Sequence, residues 1–281
     1  MSPLGLFVLT ASAMLAFAAN SILCRLALRE TEIDAASFTS VRIVSGAVAL
    51  WLIARSREKR ALREGSWISA AALFAYAIAF SFAYRELTAG TGALLLFGAV
   101  QMCMILWGWR AGERPSWIQA LGLASAFAGL VWLVWPGISA PPIQAAASMV
   151  GAGVAWGAYS LRGRGSANPL RETAGNFLRA VPFALIVSAI FIGQARFDAR
   201  GVQYAIVSGA LTSGAGYAIW YAALRGLDAT RAATVQLCVP LLAAIAGVVL
   251  LGEQFSARLS IASLAILGGI GLVIVRRRPA R

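Results

Sequence analysis

The chain has 281 residues, of which 60% are hydrophobic and only 12% are charged. Soluble domains carry about 25% charged residues, so this composition excludes an ordinary soluble globular protein. The net charge of +13 is compatible with nucleic-acid binding, but the basic residues lie in short joints between apolar segments, which is a membrane-topology pattern.

Ten apolar segments fill the chain almost end to end. A helix rises about 1.5 Å per residue, so about 20 apolar residues cross the hydrocarbon core of a bilayer. The first segment follows no basic stretch, which favours a membrane helix over a cleaved signal peptide. The sequence therefore predicts an all-α polytopic membrane protein with ten transmembrane helices, at 4–27, 35–54, 67–84, 88–109, 117–135, 143–161, 173–193, 201–222, 229–251 and 257–275.

The basic residues between the segments predict the orientation. With a cytoplasmic N-terminus, the inner joints and the tail hold sixteen Lys and Arg residues, and the outer joints, Arg25 included, hold six. This asymmetry follows the positive-inside rule. Ten helices return the C-terminus, with Arg276, Arg277 and Arg278, to the same side. We expect a multi-pass protein of the inner (plasma) membrane with both termini cytoplasmic.

The two halves of the chain are weakly similar to each other. A shift of 140 residues places Gly112-Glu113 on Gly252-Glu253, and a shift of 137 places Arg25 on Arg162 and Arg42 on Arg179. Each half holds five segments, an odd number, so the second half must insert upside down. We predict two inverted repeats, 1–137 and 138–281. Inverted repeats are typical of alternating-access carriers, with the substrate site near the midplane where the repeats meet.

Several motifs occupy corresponding positions in the two halves. They are Asn20-Ser21 and Trp156-Gly157 in the first helix of each half, Arg42 and Arg179 in the second, small-residue runs at 88–93 and 229–233, and the two Gly-Glu pairs; Pro240 occurs in the second half alone. In this order the sequence resembles the drug/metabolite transporter superfamily, specifically its EamA-type ten-helix members. It departs from them where Val100 replaces a proline and Ala19-Asn20 replaces Trp-Gly. The resemblance implies a carrier, and within the family the chain looks most like exporters of aromatic and hydrophobic amino acids.

Aromatic side chains form stripes at helical spacing. Residues three or four apart share one face of a helix. A tyrosine hydroxyl prefers water or a polar partner, so we interpret the stripes as cavity walls; plain helix packing is the alternative. The candidate substrate-binding rings are Tyr76, Phe80 and Tyr84 in the third helix, Trp156 and Tyr159 in the sixth, and Tyr217, Trp220 and Tyr221 in the eighth.

Three uncharged polar residues lie deep in apolar segments: Asn20, Gln101 and Gln236. Such groups need partners in lipid, so they are predicted to face the protein interior. Together with the rings they suit a zwitterion that has an apolar side chain.

Arg42 and Arg179 lie about seven residues inside their segments. A charge at this depth is costly. Either the two arginines reach toward the interface or bind helix-end carbonyls, or they bind a substrate carboxylate or link helices. Pro182 and Pro240 lie within segments, where they are either structural kinks or gating hinges.

No histidine occurs, and no acid lies in the middle of a segment. We therefore expect facilitated diffusion or exchange without an obligatory proton relay. No catalytic triad, metal-ligand cluster or phosphate loop is present, which argues against an enzyme, and Cys24, Cys103 and Cys238 are interpreted as small buried hydrophobic residues.

We expect no cofactor and no metal. The expected partners are a small-molecule substrate and the lipid bilayer, without nucleic acid, and a monomer is the working expectation. Two alternatives remain open from the sequence: a multidrug or purine/nucleoside-type exporter, and a membrane scaffold or receptor that transports nothing.

Overall fold

The computed structural model describes residues 2–57, 64–110, 112, 116–137, 140–163, 166–227 and 229–275. Within these ranges the chain is helical and has no β-strand. Parts of the sequence predictions lie outside the described residues, namely Lys59 in the first inner joint, Glu113 of the first Gly-Glu pair, and the tail from Arg276 to Arg278.

All ten predicted segments are helical. Eight helical stretches in the described ranges are long and apolar enough to cross a membrane, counting Thr234–Leu251 as one stretch although a turn at Leu237 interrupts it. The other two predicted segments correspond to α6 and to a stack in which a π-helical segment (Ser208–Ala215) joins α8 to α9. The helices are α1 (Pro3–Glu30), α2 (Ala35–Arg57), α3 (Trp67–Tyr84), α4 (Ala89–Arg110), α5 (Trp117–Val134), α6 (Ile143–Arg162), α7 (Pro169–Ile190), α8 (Ala199–Val207), α9 (Gly216–Leu224), α10 (Ala229–Gln236), α11 (Cys238–Leu251) and α12 (Ala257–Val275).

Two predicted segments are not single α-helices. The predicted segment 229–251 is divided at Leu237 into α10 and α11, three residues before Pro240, where a kink or hinge was predicted. Pro240 has no N–H for the Gln236 carbonyl four residues earlier, so the α-helical hydrogen bond is missing there. In contrast, α7 continues through Pro182 without a break, so only one of the two predicted proline sites interrupts its helix.

The predicted segment 201–222 is helical throughout, but its middle is a π-helix rather than an α-helix. In the π-helical segment the Gly216 N–H bonds to the Leu211 carbonyl, five residues back. The Thr212 hydroxyl donates to the Ser208 carbonyl at 2.7 Å and so competes for the acceptor of a regular α-helical bond. Two glycines within the segment weaken the α-helical preference further.

Polar residues begin the helices and a glycine ends one of them. The Ser66 and Asp198 side chains accept N–H groups of the first turns of α3 and α8, and Ser116 with Gln119 forms a capping box on α5. Gly252 adopts the left-handed conformation (φ 61°) that ends α11. Local sequence signals therefore place these helix ends.

Helices of the first half pack on helices of the second half. α2 packs on α7, α3 on α6, α5 on α12, and α1 on the stack of α8, the π-helical segment and α9. α4 lies against both α6 and α11, and 72% of the residues in an 18-residue stretch of α4 are buried. At the α5–α12 contact, a methyl group on Gly122 or Gly269 would overlap the carbonyl oxygen of the other glycine, so the two backbones touch.

The molecule is apolar outside and partly polar inside. Leu4, Val249 and Leu264 are more than 70% exposed, whereas Thr39 and Ser81 are fully buried. Water disfavours such an exterior and lipid favours it, and polar groups in a bilayer find their partners within the protein. This distribution matches a multi-pass membrane protein.

Candidate functional site

A cavity lies in the interior where α1, α3, α4, α6 and the stack of the π-helical segment and α9 meet. Its open volume is small in this conformation, about 30 Å³, which is room for water molecules rather than for a larger ligand. Its walls combine rings, amides and hydroxyls, and come from Phe17, Asn20, Ser21, Tyr76, Phe80, Leu96, Phe97, Trp156, Thr212, Ser213, Tyr217 and Gln236. This described lining contains no acidic or basic side chain.

A polar network centred on Asn20 and Tyr76 forms one wall. Asn20 Oδ1 accepts from the Ser208 hydroxyl at 2.7 Å, which links α1 to the π-helical segment. Thr212 Oγ1, whose proton goes to the Ser208 carbonyl, lies 3.2 Å from the same oxygen. Asn20 Nδ2 donates to Tyr76 Oη at 3.4 Å. Arg42 Nη2 donates to the same oxygen at 2.9 Å, and the guanidinium carbon lies 5.3 Å from the Tyr76 ring centroid. The network therefore joins α1, α2, α3 and the π-helical segment.

Aromatic rings form a continuous column beside this network. Successive centroids are 4.6 Å apart from Tyr84 to Phe80, 5.4 Å from Phe80 to Tyr76, 4.9 Å from Tyr76 to Trp156, and 5.2 Å from Trp156 to Tyr159. These spacings are those of favourable ring pairs. The column therefore connects α3 to α6 through the middle of the molecule.

The column has a side branch from α9. Tyr217 stacks on Trp156 with centroids 5.2 Å apart and an interplanar angle of 19°. Phe17 of α1 contacts both Tyr217 and Trp220. Trp156 thus lies between rings of both halves and is the centre of the aromatic wall.

A second polar cluster lies at the Tyr159 end of the column. Tyr159 Oη donates to Thr173 Oγ1 at 3.3 Å, and Thr173 Oγ1 donates to Tyr221 Oη at 3.0 Å. Asn176 Nδ2 donates to Tyr159 Oη at 3.4 Å, and Asn176 Oδ1 accepts the Ser66 backbone N–H at 2.8 Å. These bonds tie α6, α7 and α9 to the start of α3.

A buried ion pair closes the Tyr84 end of the column. Arg25 Nε donates to Glu253 Oε1 at 3.1 Å, with the two side chains 10% and 4% exposed. Arg25 Nη1 also donates to the Tyr84 and Arg85 carbonyls at 2.9 Å each. Glu253 Oε2 accepts the Ala89 N–H at 2.8 Å, where the positive end of the α4 dipole favours an anion. Arg25 therefore lies within α1 in a buried ion pair rather than in a loop.

The predicted substrate-binding residues fall into two groups. Six line the cavity: Asn20, Tyr76, Phe80, Trp156, Tyr217 and Gln236. The other five do not line it: Tyr84, Gln101, Tyr159, Trp220 and Tyr221. Tyr84 donates its hydroxyl to the Ala89 carbonyl at 3.2 Å, and Gln101 is buried within α4. Trp220 supports the wall from behind through Phe17.

The two repeat-related arginines occupy different environments. Arg42 is 2% exposed and binds side chains, so the interpretation that it reaches toward the membrane interface was wrong. Packing against Tyr76, Phe80 and Ser213 holds it in the interior. Arg179 is half-buried and donates to the Glu64 and Gly175 carbonyls at 2.7 Å and 3.0 Å; Glu64 precedes α3 and Gly175 lies inside α7, so neither is the helix-end carbonyl that was predicted.

Sequence reasoning missed several residues of the site. Ser208 and Thr212, four residues apart in an apolar segment, gave a usable signal, because hydroxyls at this spacing share a helix face. Phe17 gave none, since one phenylalanine in an apolar helix is ordinary. The Arg25–Glu253 pair joins positions 228 residues apart, and local spacing does not predict it.

The arrangement suits binding rather than covalent chemistry. Rings offer stacking faces, and Asn20, Gln236 and the hydroxyls offer hydrogen bonds. The described lining has neither a general base nor a nucleophile with an adjacent base, which acid–base or covalent catalysis requires. An interior cavity lined by rings and uncharged polar groups, under a lipid-type exterior, defines the class as a multi-pass membrane protein.

Comparison with known proteins identifies the family. The sequence model of the EamA-like transporter family matches residues 4–135 and again residues 143–275. The chain therefore belongs to the EamA-like transporter family, whose members are membrane transporters rather than enzymes.

The chain is 54% identical over 277 residues to uncharacterized protein PA1977 of Pseudomonas aeruginosa, covering 98% of this chain and 96% of that protein. A solved structure described as "Crystal structure of protein" is similar with a TM-score of 0.69 and 16% identity, over 99% of this chain and 100% of that one. At this identity the likeness concerns the fold alone.

Proposed function

We propose that the protein is a secondary transporter that exports amino acids, with aromatic and hydrophobic ones preferred, or related small metabolites across the inner membrane by alternating access. The observation that carries this proposal is the lining of the interior cavity, which combines stacking rings with uncharged hydrogen-bonding groups. Stacking suits an aromatic or apolar side chain, and amides and hydroxyls suit the polar end of an amino acid. The resemblance to the aromatic amino-acid exporter YddG supports the same substrate class.

The two-fold build supports alternating access. The family model matches the chain twice, and α2 packs on α7 just as α5 packs on α12, which are the pairs that an inverted repeat relates. Such repeats let one site open to either side in turn. The orientation with both termini cytoplasmic rests on the positive charges of the inner joints.

The energy source proposed is the substrate gradient itself, through facilitated diffusion or exchange. A proton-coupled carrier needs an ionisable group that is exposed to the cavity and changes charge. None of the twelve lining residues in the described part of the chain is a carboxylate, a histidine or a lysine. Glu253, a buried acid at the Tyr84 end of the aromatic column, is paired with Arg25.

Counterflow in proteoliposomes tests the proposal. Vesicles loaded with unlabelled phenylalanine are expected to accumulate labelled phenylalanine transiently, whereas empty liposomes are not. Tryptophan and leucine should compete, and lysine, adenosine and ethidium should not. Competition by adenosine or ethidium alone would favour the purine or multidrug alternative, and the absence of all counterflow would favour a scaffold or receptor. A strict requirement for a pH gradient would overturn the proposed energy source.

Two tryptophans provide a matched pair of variants. Trp156→Ala removes the central ring of the aromatic wall and should reduce counterflow at least about tenfold, since ring contacts of this kind contribute about 0.5–1.5 kcal/mol each. Trp117→Ala removes a ring that is 75% exposed on the outer surface and should leave counterflow unchanged. Equal effects of the two substitutions, at equal amounts of purified protein, would contradict the assignment of the cavity.

A further inference from the structure

The interior holds a guanidinium without a counter-charge among the described residues. Arg42 is 2% exposed and forms no ion pair there. Its Nε donates to the Ser213 hydroxyl at 3.4 Å and its Nη2 donates to Tyr76 Oη. Its Nη1 is buried and has no hydrogen-bond partner in the described part of the chain. In contrast, the buried Arg25 and Arg171 pair with Glu253 and Glu64.

This arrangement is energetically costly. An arginine keeps its proton in proteins, so Arg42 carries a full positive charge. A buried charge without a counter-ion is strongly unfavourable, and a buried donor left without an acceptor adds to the cost. Two cation–π contacts, with the guanidinium carbon 5.3 Å from the Tyr76 centroid and 5.0 Å from the Phe80 centroid, offset only part of it. An anion beside Arg42 would supply both the missing acceptor and the missing charge.

The groups around Arg42 belong to the cavity wall. Tyr76, Phe80 and Ser213 all contact Arg42 and all line the cavity. Tyr76 Oη already accepts from Arg42 and Asn20, so its own O–H remains to donate to a ligand. Arg42 itself does not line the cavity; its guanidinium lies directly behind the wall, in contact with Tyr76, Phe80 and Ser213. Carboxylates are the usual partners of such donors.

We infer that Arg42 is the counter-charge for a carboxylate of the transported compound. This inference rests on the proposed function and narrows its substrate class to monocarboxylates with an aromatic or apolar body. The ammonium group is dispensable, because no acidic side chain of the described residues lines the cavity to bind it. Compounds that keep the ring and the ammonium group but lack the carboxylate are not substrates.

Ligand analogues separate the carboxylate from the ammonium group. In counterflow of labelled phenylalanine, 3-phenylpropionate should compete about as well as phenylalanine. L-phenylalaninamide, which has the ammonium group but no carboxylate, should compete about 10- to 100-fold more weakly, the range for one charge-assisted hydrogen bond. Equal competition by the two analogues would overturn the inference while leaving the proposed function intact.

Binding is measured separately from transport. The purified wild-type protein in detergent should unfold at a higher temperature with 3-phenylpropionate than with L-phenylalaninamide. If this shift occurs but no amino acid shows counterflow, the proposed function fails and the carboxylate site stands. If neither compound nor phenylalanine shifts the unfolding temperature, the carboxylate site is overturned.

Arginine variants complete the test. Arg42→Gln should abolish the shift caused by 3-phenylpropionate, and the repeat-related Arg179→Gln, outside the cavity lining, should retain it. Ser213→Ala removes one contact of Arg42 but keeps its charge, so it should retain the preference for 3-phenylpropionate over L-phenylalaninamide even if Arg42→Gln fails to fold. Retention of the shift by folded Arg42→Gln would assign Arg42 a purely architectural role.

Discussion

The two halves of the molecule carry arginines at matching sequence positions, yet they use them differently. Arg25 of the first half is buried and forms an ion pair with Glu253, whereas its counterpart Arg162 is exposed and donates to the hydroxyls of Ser69 and Ser66 at 3.1 and 3.4 Å. Arg25 thus forms a desolvated ion pair, whereas Arg162 forms hydrogen bonds to hydroxyls only; near Ser66 the ion pair is made instead by Arg171 with Glu64. Equivalence in sequence does not give equal environments in one conformation.

The second pair of matching arginines, Arg42 and Arg179, also differs in its surroundings. Arg42 is enclosed by rings and hydroxyls beside the cavity, and Arg179 binds backbone carbonyls away from it. The repeat relates α3 to the stretch formed by α8, the π-helical segment and α9. These two also differ, since α3 is a regular α-helix and the second-half stretch contains the π-helical segment. These differences make the halves separable by mutation.

The largest difference in the free energy of unfolding is expected between substitutions of Arg25 and of Arg162. Arg25→Gln leaves Glu253 buried without its counter-charge and should lower the free energy of unfolding by about 3–5 kcal/mol. Arg162→Gln removes exposed hydrogen bonds and should cost no more than about 1 kcal/mol. Denaturant titration in mixed micelles measures both. The double variant Arg25→Gln with Glu253→Gln should recover part of the loss, and equal costs for Arg25→Gln and Arg162→Gln would remove the contrast between the two arginines.

A smaller effect is expected for tyrosine hydroxyls. Tyr76→Phe removes the acceptor of the charged Arg42 donor and should cost about 1.5–3 kcal/mol. Tyr159→Phe removes neutral bonds to Thr173 and Asn176 in the second half and should cost about 0.5–1.5 kcal/mol. The same titration gives both values. The reverse order would show that the charge of Arg42 adds nothing to its hydrogen bond.

The close contact between α2 and the π-helical segment can be tested with glycines. A methyl group on Gly209 would overlap Ser45 Oγ and the Arg42 carbonyl, so Gly209→Ala should cost about 1–3 kcal/mol. Gly151 of α6 has no neighbour within 4 Å of an added methyl group, and Gly151→Ala should stabilise its helix by about 0.5–1 kcal/mol. Melting temperatures in detergent should move in opposite directions; a tolerated Gly209→Ala would show that the π-helical segment can withdraw from α2.

The smallest effect is expected from pH at the joint between the halves. Asp34 precedes α2 and accepts the Arg196 N–H, from after α7, at 2.9 Å. Burial alone would raise the pKa of Asp34, but hydrogen bonds from the Ser37 hydroxyl and from the N–H groups of Arg196, Ser37 and Ala36 outweigh it and lower that pKa below 3.8.

Because the folded-state pKa of Asp34 is lowered, its ionised form stabilises the folded protein above the ordinary value of 3.8, and this contribution is lost as the pH falls through the lowered pKa. The group is partly exposed, so the contribution should not exceed about 1 kcal/mol. Unfolding of wild type and Asp34→Asn, titrated from about pH 7 to about pH 3, should show a difference that is constant above about pH 5 and shrinks below about pH 4. A difference that grows on acidification would reverse the assigned sign.

Much of the fold was predictable, because segment length, apolar composition and capping residues are local properties. Within the site, Tyr76 and Phe80 were predictable from their four-residue spacing, and Asn20 from its polarity in an apolar helix. Gln101 was misleading for a physical reason: α4 is buried on nearly all sides, so a polar group on it faces the interior without facing the cavity. The partner of Arg25 depends on tertiary packing across 228 residues, which no local pattern encodes.

The wide turns at Ser208–Ala215 set the rotational phase of α9. A π turn contains one residue more than an α turn, and one residue corresponds to about 100° of rotation about the helix axis. Tyr217 and Trp220 lie just beyond these turns, so the direction in which their rings point depends on a residue count. Deleting one residue between 208 and 215 would therefore re-aim both rings, and evolution could retune this wall of the cavity by a single-residue insertion or deletion without replacing any side chain.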